Sequence, residues 1–213
     1  MNMELADKIS PKNADIDYFV NIVLKEKQIL DDIVELTLNH PHIMVYYHGY
    51  YILDKATEIN PKKFYKYWDD FAKLLKHKNT YHRQIGIVIL SNLSKVDKDN
   101  KFSEIIDDYM QCLYDKMILI GVFCVRYLKA IIRNKPEYQN QIINELLEHR
   151  KKTSFKEKQE ALLEYEILEI FEDNYAKLEN KDKITEFIKD RQNSISPKTK
   201  KKSKEIMKKL GIK

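Results

Sequence analysis

Apolar side chains recur along the chain at helical spacing. In the segment 64–75, Phe64, Trp68, Phe71 and Leu75 follow one another at intervals of 4, 3 and 4 residues. This spacing places the four side chains on one face of an α-helix. Because lysines and aspartates lie between them, the pattern predicts an amphipathic helix with one buried face.

The same pattern returns 38 residues later, where Phe102, Ile106, Tyr109 and Leu113 take the corresponding places. Residues 30–33 match it one step earlier, and residues 138–146 form a weaker fourth copy. A pair of aspartates accompanies the first three copies, at 31–32, 69–70 and 107–108. The chain is therefore predicted to contain an internal structural repeat.

Each of these segments is followed by a second, more apolar one, beginning near residues 43, 81, 117 and 155. The second segments align on a small residue, at steps of 37, 38 and 37, and a larger residue follows four positions later. The small residues are Gly49, Gly86, Cys124 and Ala161. Glycine costs about 1 kcal/mol in a helix interior. A small residue one turn before a large one predicts a helix that lies close against its neighbour.

A strand interpretation competes with the helical one for the apolar runs "IGIVIL" and "MILIGVFCV". Such runs could form buried strands of a parallel α/β sheet. The runs continue into segments with helical apolar spacing, and the fourth copy, "KEKQEALLEYEILEIF", is rich in helix formers. Four glycines and five prolines in 213 residues are few for a fold with many tight turns. These observations favour helices.

Two helices per unit at a period of 37–38 residues resemble the HEAT/armadillo class of α-solenoids over roughly residues 15–195. The stretch "HRQIG" at 82–86 is similar to the basic and small residues that open the second helix of HEAT units, whereas Tyr46, Gly121 and Lys158 replace Arg83 in the other copies. The resemblance implies an all-α, right-handed α-solenoid of about four to five HEAT-like two-helix repeats.

The predicted domain organisation is a repeat array over residues 1–195 and a Lys-rich capping helix over residues 196–213. Ser196 is the expected helix cap and Pro197 the first helical residue. Residues 197–213 carry eight lysines and one glutamate, so most of the net charge of +5 resides in this tail. The basic tail is predicted either to cap the array or to attach electrostatically to nucleic acid or an acidic partner.

Most residues with chemical potential are predicted to be structural. The aspartate pairs should lie off the apolar face and form a solvated acidic stripe. The histidines 40, 42 and 48 lack the spacing of a zinc site, and 40 and 42 fall at a predicted turn. Cys112 and Cys124 occupy core positions of the repeat, and Trp68 does so as well. No metal or cofactor site is predicted.

The candidate binding residues lie on the predicted second helices. In HEAT-like arrays these helices commonly line the concave surface, where partners dock. Tyrosine and arginine are the residue types that dominate binding hot spots. The candidates are Tyr47, Tyr51, Arg83, Arg126, Lys129 and Arg133, with the tail residues Lys198, Lys200, Lys201 and Lys202.

These features predict a non-enzymatic interaction scaffold that binds a protein partner on its concave surface. The alternative is a nucleic-acid-binding protein, related through the HEAT-like resemblance to DNA alkylation-repair glycosylases. No phosphate loop, nucleophile elbow or metal signature predicts an enzyme. The two cysteines and the lack of long apolar runs predict a cytoplasmic protein without a membrane-spanning segment. No small-molecule cofactor is expected.

Overall fold

The apolar segments are helical. The computed structural model describes residues 1–212, and in that range α-helices are joined by short 3-10 turns and loops, with no β-strand. The strand interpretation of "IGIVIL" and "MILIGVFCV" is therefore excluded, because the first run lies inside a helix and the second is helical from Ile118 onward. The predicted all-α class is confirmed.

Packing contacts divide the chain into two compact units, Met1–Ile106 and Asp107–Lys213. The first unit contains α1 (Met3–Ile9), α2 (Ile16–Val23), α3 (Lys27–Asn39), α4 (Ile43–Ile59), α5 (Trp68–Leu74) and α6 (Thr80–Leu93). The boundary falls within α7 (Phe102–Gln111). The second unit contains α8 (Ile118–Asn134), α9 (Gln139–Glu148), α10 (Glu157–Asn174), α11 (Lys181–Asp190) and α12 (Pro197–Leu210).

Helical hairpins build the first unit. Helix α3 packs against α4, α5 packs against α6, and α4 and α6 contact each other. Helices α1 and α2 both contact α4. The predicted apolar faces form the core, where Ile33, Phe71 and Leu90 are fully buried. Burying a side chain of this size contributes about 1.5–3 kcal/mol to folding, so these faces hold the hairpins together.

In the second unit, α10 contacts α8 on one side and α12 on the other. Helix α9 contacts α8 and α11, and α11 in turn contacts α12. The predicted start of the C-terminal helix is confirmed, since Ser196 caps α12 by accepting a hydrogen bond from the Thr199 amide and Pro197 follows it. Ile206 is fully buried, so α12 is integrated into the unit through an apolar face.

The aligned small residues mark close helix contacts, as predicted. At Gly86, an added Cβ would lie 3.0 Å from the Cβ of Leu74 and 3.0 Å from the Phe71 carbonyl oxygen. At Gly49 it would lie 2.2 Å from the Thr37 hydroxyl oxygen. The equivalent Cys124 is fully buried, and its thiol donates to the Tyr109 carbonyl at 3.3 Å.

The Gly86→Ala variant is expected to lower the free energy of unfolding by about 1–2 kcal/mol. Overpacking a tight contact costs about 1–3 kcal/mol, and the roughly 1 kcal/mol gain in helix propensity offsets only part of this cost. Urea unfolding followed by Trp68 fluorescence measures the change. Gln84→Ala on the same helix tests helix propensity at a half-exposed position and should not destabilise. A Gly86→Ala variant as stable as the parent would contradict the close packing.

The turns that precede the second helices repeat one hydrogen bond. The Nδ1 atom of His40 accepts from the amide two residues later at 3.1 Å, and the Nδ1 atom of His77 does the same at 3.1 Å. A carboxylate oxygen of Asp115 takes this role in the second unit, at 2.8 Å. The turn histidines therefore have the structural role that their positions predict, and the buried His48 donates to the Ile9 carbonyl at 2.6 Å.

The repeated aspartates connect successive hairpins. Asp31 accepts hydrogen bonds from Lys66 Nζ at 2.7 Å and from the Tyr67 hydroxyl. Asp69 accepts from Lys101 Nζ at 2.8 Å. Both carboxylates lie off the apolar face and remain exposed, as predicted, at 37% and 68%, and each also meets a lysine located 35 or 32 residues later. Such partners come from the packing of hairpins, which the local pattern does not specify.

The predicted face 64–75 is buried throughout, with one correction to its backbone. Phe64 precedes α5 and lies between two 3-10 turns, so the regular helix begins only at Trp68. Trp68 is buried, as predicted. Cys112 and Cys124 are both buried, and burial raises the pKa of the Cys124 thiol. A protonated buried thiol suits packing rather than nucleophilic chemistry.

Candidate functional site

The tyrosines of α4 divide between the core and the surface. Tyr46 and Tyr50 are buried, at 6% and 5% exposure, whereas Tyr51 is 37% exposed and Tyr47 is half-buried. Residues four apart on a helix share a face, so Tyr46 and Tyr50 lie on one face and Tyr47 and Tyr51 on another. The pair that faces outward is therefore Tyr47 and Tyr51.

Helix α6 adds a third ring to this surface. Tyr81, at the start of α6, is 42% exposed, and its ring centroid lies 6.1 Å from that of Tyr47 in an edge-to-face arrangement. Tyr47 and Tyr51 are also edge-to-face, at 4.8 Å, with their hydroxyl oxygens 2.6 Å apart. We call Tyr47, Tyr51 and Tyr81 the tyrosine cluster. Sequence reasoning did not single out Tyr81, because it became part of the cluster only through the contact between α4 and α6.

Tyr51 is a neutral phenol at physiological pH. The hydrogen bond between Tyr51 and Tyr47 raises the pKa of Tyr51 to about 12, and burial acts in the same direction. A phenol that holds its proton cannot act as a base or nucleophile near neutrality. The cluster therefore offers apolar area, ring faces and hydroxyl groups to a binding partner.

Two carboxylates extend the same face of α4. Tyr47, Tyr51, Asp54 and Glu58 are spaced by 4, 3 and 4 residues, which places them in one stripe along the helix. One carboxylate oxygen of Asp54 accepts a hydrogen bond from the Asn92 side-chain amide at 3.0 Å. Burial raises the pKa of Asp54 to about 6, although the Asn92 hydrogen bond acts against this shift. Asp54 is thus a half-buried acid held in place beside the cluster.

Arg83, a predicted concave-surface residue, is buried instead. Its Nη1 atom donates to the carbonyl oxygens of His77 and Lys78, at 2.8 and 3.1 Å. The guanidinium group therefore stabilises the loop between α5 and α6. With 7% of its surface exposed, Arg83 is not available to a partner at this surface, and the sequence could not reveal this because the acceptors are backbone atoms.

Arg126 and Lys129 on α8 meet glutamates on α10, with distances of 2.8 Å to Glu166 and 2.9 Å to Glu169. From the other side, α12 supplies lysines to the same row of acids. We call these charged residues the α10 ladder. Its members are Arg126, Lys129, Glu166, Glu169, Glu172, Lys202 and Lys209.

Glu169 is the centre of the α10 ladder. Burial would raise the pKa of its carboxyl group, but hydrogen bonds from Lys202 and Lys129 outweigh this and bring the pKa to about 2. The carboxylate is therefore charged at any physiological pH. Since these acids neutralise the predicted basic residues within the unit, Arg126 and Lys129 do not form an open cationic surface.

The other predicted basic residues are the four lysines of α12, which lie on two faces of that helix, and Arg133 near the end of α8. Lys198 lies 3.6 Å from the centre of the Tyr165 ring, and Lys202 belongs to the α10 ladder. Lys200 and Lys201 lie on the opposite face, beside Lys204 and Lys208, and line a shallow surface depression. Arg133 is exposed near the end of α8.

Sequence reasoning missed a buried ionic cluster in the second unit. Glu164 is fully buried, and one of its oxygens accepts from Arg191 at 2.7 Å and from Arg150 at 2.6 Å. His149, also fully buried, places Nε2 3.3 Å from an oxygen of Glu160. Glu160 and Glu164 stand four residues apart among the apolar positions of α10. This interruption of the apolar pattern is the sequence signal that could have indicated the buried cluster.

Within residues 1–212, no group of three or more histidine, cysteine, aspartate or glutamate side chains is arranged to hold a metal ion. Over the same residues, no helix has the length and apolar character needed to cross a membrane. Comparison of the chain with protein-family models, curated proteins and solved structures gives no match.

Proposed function

We propose that this chain is a non-enzymatic interaction module that binds a protein partner through the tyrosine cluster. The observation that carries this proposal is the exposure of Tyr51 and Tyr81 on two adjacent helices, beside the half-buried Tyr47. Aromatic side chains cost free energy when they remain in water, and they dominate the energetics of protein interfaces. The exposed ring faces and hydroxyl groups of the cluster suit contact with a partner surface.

A solenoid of HEAT-like repeats is part of this proposal. Within the first unit the second helices α4 and α6 pack together, and within the second unit α8, α10 and α12 do so. Repeated hairpins packed in this way are typical of α-solenoids, which use their second helices for binding. The two buried thiols agree with action in a reducing compartment such as the cytoplasm.

Photo-crosslinking tests the proposed surface. A photoreactive phenylalanine at position 81 should form a covalent adduct with one protein in the cell of origin. The Tyr47→Ala/Tyr51→Ala variant of this labelled chain should lose at least nine-tenths of that adduct, since interface hot spots cost about 2 kcal/mol or more when truncated.

The matched control is Tyr18→Ala on α2, which removes a tyrosine that is 56% exposed but lies outside the cluster. It should leave the adduct unchanged. Circular dichroism confirms that each variant is folded. Equal adduct yield from the cluster variant and the control would contradict the proposal.

Nucleic-acid binding is the second candidate, and the outward lysines of α12 favour it. Lys200, Lys204 and Lys208 line one exposed face, a pattern suited to phosphate contacts. The predicted groove residues Arg126 and Lys129 are already paired with glutamates. Trp68 is buried, which leaves it out of any base-stacking site of the glycosylase kind. Tight binding of DNA or RNA that persists at physiological salt would favour this candidate over the protein partner.

A further inference from the structure

Tyrosine rings in this chain are repeatedly covered by a lysine. Lys66 lies 4.6 Å from the centre of the Tyr67 ring, and Lys152 lies 5.6 Å from that of Tyr114. In each case an acid completes the group, because Asp31 binds both Lys66 and Tyr67, and Glu145 binds both Lys152 and Tyr114. A cation is attracted to the ring face and to the carboxylate at once. Tyrosine, acid and cation thus form a recurring set.

The largest example joins two helices. On α10, Tyr165, Glu169 and Glu172 follow one another at intervals of 4 and 3 residues. Helix α12 covers this stripe with lysines: Lys198 lies 3.6 Å from the Tyr165 ring centre, Lys202 binds both glutamates, and Lys209 binds Glu172. In this protein, a stripe of tyrosine and acidic residues is therefore bound by a basic segment.

Helix α4 carries a stripe of the same composition without the cations. Tyr47 and Tyr51 are followed by Asp54 and Glu58 at intervals of 3 and 4 residues. In the described part of the chain, no lysine or arginine forms an ion pair with Asp54 or Glu58, and none lies over the rings of the tyrosine cluster. The neighbouring Lys55 is turned to Asp17 on α2, at 2.7 Å.

The surroundings of Asp54 favour binding of a cationic partner. Asn92 donates to one carboxylate oxygen, and in the described chain the other oxygen has no hydrogen-bond donor. A half-buried carboxylate is weakly solvated. An incoming cation would therefore supply the carboxylate with electrostatic stabilisation that water supplies poorly at this position. The nearby Glu58 adds negative charge on the same face.

We propose that the occupant of the tyrosine cluster is a basic protein segment, which places lysine or arginine side chains over Tyr47 and Tyr51 and against Asp54 and Glu58. This inference rests on the proposed function and names the chemistry of its partner. An apolar segment would leave the two acids uncompensated, and an acidic segment would be repelled by them. Charge complementarity therefore selects a cationic occupant.

Fluorescence anisotropy with synthetic peptides tests the inference on the full chain. The probe is a labelled peptide of repeated Gly-Ser-Lys units, and its neutral match carries acetyl-lysine at the same positions. We expect the lysine peptide to bind at near-physiological salt at least tenfold more tightly than the acetylated one. The net charge of +5 repels a cationic peptide at long range, so nonspecific attraction to the chain as a whole would not produce this preference.

Four variants locate the binding. Asp54→Asn should weaken the lysine peptide at least fivefold, and Tyr47→Leu/Tyr51→Leu should weaken it similarly. Tyr47→Phe/Tyr51→Phe keeps the ring faces and should bind nearly as well as the parent. Glu104→Gln removes an exposed acid elsewhere in the first unit and should have no effect.

The other possible results show whether the inference fails alone or together with the proposed function. Equal binding of the acetylated peptide, or unchanged binding by Asp54→Asn, overturns the cationic occupant. Absence of binding by either peptide overturns it as well. If the position-81 adduct is nevertheless lost in the Tyr47→Ala/Tyr51→Ala variant, the proposed function stands and only the chemistry of the partner is wrong.

Discussion

The Glu164→Ala variant is expected to lose about 3–5 kcal/mol of unfolding free energy. Glu164 is fully buried and receives hydrogen bonds from Arg191 and Arg150, of which Arg191 is itself buried. Removing one partner of a buried ion pair leaves the other charge without compensation, which is the costly case. Burial lowers the pKa of Arg191, and Glu164 acts against this shift, so the carboxylate is what makes the buried cation tolerable.

Urea unfolding followed by circular dichroism measures this loss for the whole chain. Fluorescence of Trp68, the single tryptophan, reports on the first unit alone, and it shows whether destabilisation is confined to the second. The double variant Glu164→Leu/Arg191→Met removes both charges and should recover most of the loss, since apolar replacements of a buried pair are often neutral. Glu4→Ala, at an exposed pair with Lys8, should leave the transition unchanged. A small effect of Glu164→Ala would show that the buried cluster is hydrated.

The Asp54→Asn variant is expected to be more stable than the parent at pH 7, by about 1–2 kcal/mol. Burial raises the pKa of Asp54 from 3.8 to about 6. A shift of this size corresponds to about 3 kcal/mol, at roughly 1.4 kcal/mol per unit, and partial exposure of the carboxylate reduces it. Asparagine keeps the acceptor for Asn92 and removes the charge. An acid that costs stability in this way agrees with a role in binding.

The gain should depend on pH in a defined direction. The folded state holds the Asp54 proton more tightly than the unfolded state, so this contribution to stability is fully present below about pH 4 and is lost as pH rises through about 6. The parent and the variant should therefore have similar stability near pH 4 and differ most above pH 6. Urea titrations followed by Trp68 fluorescence at several pH values test this, with Glu104→Gln as the exposed control. A constant difference across this range would contradict the raised pKa.

The local pattern of apolar residues predicted the helices and their buried faces correctly. Phe71 and its repeat equivalents are buried, the small residues at Gly49 and Gly86 meet the preceding helix, and Ser196 caps α12. These features depend on residues a few positions apart, or on a repeat that the sequence displays directly. Local spacing decides them, because helical periodicity and packing volume are properties of short segments.

The candidate site depended on contacts that local spacing does not encode. Tyr47 and Tyr51 could be assigned to the surface only after Tyr46 and Tyr50 were seen to fill the core, and Tyr81 joined them through the contact of α4 with α6. Arg83 lies at a predicted surface position, but its guanidinium group donates to a loop carbonyl, and local spacing does not encode that contact.

The ion pairs also depend on contacts between residues that are far apart in the sequence. Arg126 and Lys129 meet glutamates 40 residues away, and Arg191 meets Glu164 at a separation of 27. By itself, the sequence determined that the chain is helical and which helix faces are buried. Only the tertiary structure decided which charges are already paired and which stripe of tyrosines and acids remains open, because electrostatic partners are selected by proximity in space.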